Sequence, residues 1–130
     1  MSQTTRSDVT SLVARILMSV MFILAGWNKI GGYAGTQGYM EAMGVPGMLL
    51  PLVILLEIGG ALALIAGWQT RLAAYALALF SIVSALIFHS NLGDQMQMIL
   101  FMKNWAMAGG LLVLAANGAG AYSLENRGQS

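Results

Sequence analysis

Residues 48–67 read MLLPLVILLEIGGALALIAG, an apolar run from Met48 to Gly67 broken by one charge, Glu57. At 1.5 Å per residue such a run makes a helix long enough to cross a hydrocarbon core of about 30 Å. The apolar residues form a block rather than an alternation, so the run does not read as a strand of an outer-membrane barrel. Three further blocks accompany it, at Val9–Ile30, Leu72–His89 and Ile99–Tyr122. Together the four predict an all-α membrane protein, a four-transmembrane-helix antiparallel bundle forming a single domain over residues 1–130. The first block follows Arg6 and contains Arg15, a pattern shared with the charged start of a secretory leader. It runs on through Gly26, Trp27, Asn28 and Lys29 without a small-residue cleavage site, so it reads as a retained span.

Composition agrees with that reading. Of 130 residues, 58% are hydrophobic and 8% are charged, against roughly 25% charged in a soluble domain. A soluble chain of this length could not bury so much apolar surface in its small core. The net charge of +1 supplies no basic field for nucleic acid. Cysteine is absent, which removes disulfides, thiolate metal sites and a thiol redox relay within the chain.

The positive charges suggest an orientation. With both termini cytoplasmic, Arg6, Arg15, Arg71 and Arg127 lie inside, and Lys29 and Lys103 outside. The connections 31–47 and 90–98 then face the exterior. The first holds Gly31, Gly32, Gly35, Gly38, Gly44 and Pro46, interleaved with Tyr33, Tyr39, Met40 and Met43. That mixture of turn and interface residues predicts an outer loop with a short interfacial helix near Thr36–Met43, placed like a lid. The connection Trp68–Arg71 is so short that the second and third spans must form an antiparallel hairpin.

Polar residues inside the spans carry most of the functional information, because charge in hydrocarbon is costly and faces the bundle interior or water. Glu57 lies near the middle of its span, where a carboxylate must be paired, hydrogen-bonded or protonated. It reads as half of a structural ion pair, as a proton-accepting or ligand-anchoring group, or as a neutral acid with no role. On the first span Arg15, Phe22, Gly26 and Lys29 fall on one helix face. Gly26 admits a close neighbour there. Arg15 and Lys29 are about 21 Å apart along the axis, able to reach toward Glu57 or to snorkel to opposite interfaces. His89 ends the third span and suits proton transfer near neutral pH. Lys103 and Asn104 open the fourth. Asn28, Lys29, His89, Lys103 and Asn104 are thus expected in the outer half of the bundle, above Glu57, as one polar pocket.

Small residues at Gly59, Ala63, Gly67, Ala74, Ala78, Ala85, Gly109 and Gly110 allow close helix packing and say nothing specific about function. Met40, Met43, Met48, Met96, Met98 and Met102 cluster toward the outer face. Thioethers bind Cu(I), but without a tight repeat they read as adaptable apolar packing, and no metal site is assigned.

Several pieces carry a family resemblance. They are Arg15-Ile16-Leu17, Phe22-Ile23-Leu24-Ala25-Gly26-Trp27-Asn28-Lys29, Gly38-Tyr39-Met40, Gly44-Val45-Pro46, Glu57 with Gly59-Gly60, Gly67-Trp68-Gln69-Thr70-Arg71, His89 and Lys103-Asn104. In this order and spacing, over roughly Leu12–Tyr122, the chain resembles the DoxX family of small four-helix bacterial membrane proteins. The resemblance implies location in the bacterial inner membrane and association with membrane redox complexes, quinone chemistry and oxidative-stress defence.

The resulting expectation is a redox-associated subunit with a quinone- or lipid-sized pocket between the helices. Glu57 and His89 would accept or relay protons. Arg15, Gly26, Asn28, Lys29, Lys103 and Asn104 would line the ligand site. A quinone is the cofactor considered. Membrane lipids, a redox partner protein and a second copy of the chain are the partners considered. Two other readings stay open: a non-enzymatic membrane binding or assembly protein, and a small proton-linked transporter acting as an oligomer.

Overall fold

The computed structural model describes residues 3–126. Arg127, counted above for orientation, lies outside them. All regular structure among the described residues is helical: α1 (Gln3–Gly31), α2 (Tyr33–Ala42), a 3-10 turn (Gly47–Leu49), α3 (Leu50–Ala66), α4 (Thr70–Phe88) and α5 (Gln95–Asn117). Four helices, α1, α3, α4 and α5, are long and apolar enough to cross a membrane. Their outer faces present Leu17, Trp27, Leu55, Leu79 and Trp105. Such faces suit a solvent of lipid tails, while helices satisfy their own backbone hydrogen bonds there.

Close approaches fix the antiparallel order. Arg15 of α1 meets Leu64 of α3, whereas Gly26 meets Ile58. Gly60 of α3 faces Leu77 of α4, and Met18 of α1 faces Gly110 of α5. A Cβ at Gly26 would lie 2.5 Å from Ile58 Cγ1 and 3.6 Å from Glu57 Cβ, so glycine is what lets α1 and α3 touch here. The neighbour that Gly26 admits is therefore a helix. Phe22, Ala61, Leu64, Ala74, Leu77, Ala78, Ala108 and Leu111 fill the centre of the bundle.

The helix ends depart from the hydropathy blocks for identifiable reasons. α1 starts at Gln3, ahead of Val9, because its first two turns are polar and a hydropathy pattern does not register them. α2 begins at Tyr33, directly after α1, so most of the expected loop is helix. α5 starts at Gln95 because Asp94 caps it, accepting from the amides of Met96 at 2.9 Å and Gln97 at 3.3 Å. It stops at Asn117 rather than near Tyr122, because Gly118 and Gly120 take φ of 78° and 80°, a left-handed turn of the chain.

Beyond that turn, residues 118–126 fold back as a strap across the bundle end. The amides of Leu124 and Glu125 donate to Ala66 O at 2.9 Å and Gly67 O at 3.0 Å. The Thr70 amide donates to Glu125 Oε2 at 3.2 Å. The strap thus supplies partners to the last carbonyls of α3 and the first amides of α4, groups a helix cannot satisfy itself.

Candidate functional site

At the opposite end, α2 lies over the mouth of the bundle and buries Met40. Tyr39 pins it: the phenol donates to Phe88 O at 3.3 Å, and its ring stacks on Phe88 with centroids 5.5 Å apart. The side-chain amide of Gln37 donates to Gly47 O at 3.1 Å, tying α2 to the turn before α3.

Beneath this cover Lys29 Nζ lies 2.8 Å from Glu57 Oε1. Lys29 sits in the last turn of α1, and Glu57 projects from α3 with 2% exposure. The contact is an ion pair, and among the described residues Oε1 accepts no well-aligned hydrogen bond. His89 Nδ1 lies 3.0 Å from Gln97 Oε1. An amide oxygen only accepts, so Nδ1 is the donor in this arrangement, and Nε2 is the nitrogen available as a base in the neutral ring.

Two cavities meet at these residues. The inner one measures about 120 Å³ and brings together Lys29, Glu57, Ser81, Ser84, His89, Lys103 and Asn104, backed by Phe22 and Met107. Ser81 already donates to Leu77 O at 2.8 Å, so its remaining capacity is to accept. The outer cavity measures about 430 Å³ and lies under α2 between α3 and α4. Its walls are mostly apolar, with Met40, Val45, Leu49, Val53, Val83 and Ile87. Lys29, Phe80, Ser84 and His89 line both cavities. An apolar slot therefore ends on a polar face whose far side reaches the buried carboxylate.

The structure divides the predicted site residues. Glu57, His89, Lys29, Lys103 and Asn104 converge on the inner cavity, with Asn104 buried and Lys103 exposed at its rim. Asn28 is exposed and lines neither cavity. Gly26 acts at the α1–α3 contact. Arg15 lies at the strap end of the bundle, away from Glu57. It neither reaches the carboxylate nor snorkels, because three backbone carbonyls hold it: Leu64 O at 2.9 Å, Ile65 O at 3.0 Å and Tyr122 O. Sequence reasoning missed Tyr39, Ser81 and Ser84. The Tyr39 latch was readable only as an interface aromatic, and serines inside a span carry little signal by themselves.

The methionines disperse. Met48, Met96 and Met102 face outward, whereas Met40 packs under α2. Among the described residues no group of three or more His, Asp or Glu gathers as a metal would require.

Residues 10–90 match the DoxX family model, from the first third of α1 to just past the end of α4. The chain belongs to the DoxX family. It is 58% identical over 118 residues to the inner membrane protein YqjF of Escherichia coli (strain K12), covering 91% of each chain. It is 36% identical over 126 residues to the inner membrane protein YphA of the same organism, covering 92% of this chain and 90% of that one. No solved structure matches it. This DoxX protein is an integral inner-membrane protein. The family match includes Lys29, Glu57 and His89, while Lys103 and Asn104 on α5 lie beyond its limit.

Proposed function

We propose that this DoxX protein is a redox-associated membrane subunit that holds a quinone-sized amphiphile under α2. One observation carries the binding half of that reading: the roughly 430 Å³ apolar cavity ends on Lys29, Ser84 and His89, which also border the buried Glu57. Ligand sites commonly occupy about 300–1,000 Å³, mostly apolar with a few polar groups that orient the ligand. The inner cavity, at about 120 Å³, suits water or the tip of a head group rather than a ring.

In this arrangement the tail lies against Met40, Val53 and Val83, and the head faces Lys29 and His89. Lys29 donates a hydrogen bond to a head-group carbonyl. His89 Nε2 and Glu57 are the bases that hold or pass a proton between the head and the inner cavity. Family resemblance carries the redox half, and electrons come from a partner protein. A short-chain benzoquinone should bind the detergent-purified protein saturably in equilibrium dialysis. Met40→Trp, which fills the slot from the lid, should weaken that binding by about tenfold or more, roughly 1.4 kcal/mol. Unsaturable uptake, equal in both proteins, would be detergent partitioning and would overturn the assignment.

A further inference from the structure

The other end of the bundle holds a second amphiphilic groove, unconnected to the α2 cavity. α1 and α5 touch where Met18 crosses Gly110, where a Cβ would come within 2.6 Å of the Met18 methyl. Toward the start of α1 the two helices leave a groove of about 490 Å³. Arg6, Ser7, Thr10 and Ser11 form its α1 wall, and Val113 and Leu114 belong to its α5 wall. The polar groups occupy the first turns of α1 and, as Asn117, the end of α5, and the apolar ones lie deeper along the bundle.

We propose that this groove binds an anionic phospholipid, with the phosphodiester at Arg6 and an acyl chain against Val113 and Leu114. The charges favour an anion. Among the described residues Arg6 has no carboxylate partner, and Asp8 is turned to the strap, where it accepts from the Ala121 amide at 3.1 Å. Guanidinium and hydroxyl groups match phosphate oxygens, which only accept hydrogen bonds. The location matches too. Arg6 lies at the interfacial end of a spanning helix, where head groups sit, and basic pockets between such helices commonly hold anionic lipid head groups.

The test is native mass spectrometry of the purified full chain in detergent, titrated with phosphatidylglycerol or phosphatidylcholine of identical acyl chains. Phosphatidylglycerol should bind about five- to tenfold more tightly, the scale expected for one interfacial arginine plus hydroxyl contacts. Arg6→Gln should abolish that preference, and Ser7→Ala with Thr10→Ala should reduce it. Arg71→Gln, a basic residue in the neighbouring pocket at the same end, which shares only Asn117 with this groove, should leave it intact. Equal binding of the two lipids would overturn the proposal. So would equal losses in Arg6→Gln and Arg71→Gln, which would mark a general surface charge effect rather than a site. Arg6 is exposed, so its substitution should not prevent folding.

Discussion

Arg15→Ala should leave a protein that unfolds far below the wild type in detergent, with the strap open to protease. Arg15 is fully buried, and its guanidinium links α1, the last turn of α3 and the strap through Leu64 O, Ile65 O and Tyr122 O. The backbone contacts of the strap with α3, from Leu124 and Glu125 to Ala66 and Gly67, depend on the same alignment, while Thr70 and Asp8 hold the strap separately through Glu125 and Ala121. A Cβ at Gly67 would also press on Arg15 Nη1, at 2.8 Å, so the chain is tightly packed around the guanidinium. Removing the side chain leaves a void and takes the guanidinium from three carbonyls, of which Leu64 O keeps the Gly67 amide at 3.2 Å; each carbonyl left unpaired when buried costs about 1–3 kcal/mol. The combined loss should be about 3–5 kcal/mol, a large part of a typical folding free energy of roughly 5–15 kcal/mol. Arg15→Lys should recover only part of it, because one ammonium cannot reproduce the planar fork. A thermal scan with limited proteolysis reads both effects. A wild-type melting temperature in Arg15→Ala would show that the strap holds without the arginine.

The second large effect is expected at the ion pair, and it should be asymmetric. Lys29→Met leaves Glu57 buried without its cation, whereas Glu57→Gln leaves a lysine with 28% side-chain exposure. Removing one partner of a buried pair typically costs about 3–5 kcal/mol. Partial solvent access at Lys29 and the second cation, Lys103, put Lys29→Met at or below the lower end of that range. Glu57→Gln should be milder for stability, because Lys29 can turn its ammonium toward the interface. The double variant Lys29→Met with Glu57→Gln should be more stable than Lys29→Met alone. Melting curves of the three variants give that comparison, and equal losses in both single variants would contradict the asymmetry.

The architecture was readable because each span is a long block of apolar residues, and hydropathy over about 20 residues is the strongest signal a membrane sequence carries. The gathering of Lys29, His89, Lys103 and Asn104 around Glu57 was readable for a related reason. Polar residues in spans are few, and alternating helix direction places these at one end. Arg15 was harder. Its partners are main-chain carbonyls, which have no signature in the side-chain sequence, so a fully buried structural clamp looked like a ligand contact. The end of α5 was obscured because Ala119, Ala121, Tyr122 and Leu124 continue the apolar composition past the turn at Gly118. Asn28 faces away because it lies one residue before Lys29, about 100° around a helix of 3.6 residues per turn.

In the proposed function the cavity under α2 holds an amphiphile whose head meets Lys29, His89 and the Glu57 compartment. Its most direct test is mass spectrometry of small molecules extracted from the gently purified wild-type protein and from Glu57→Gln. A quinone should be retained by the wild type and depleted in the variant, with both proteins still folded. Ordinary phospholipid alone, in equal amounts from both, would contradict it.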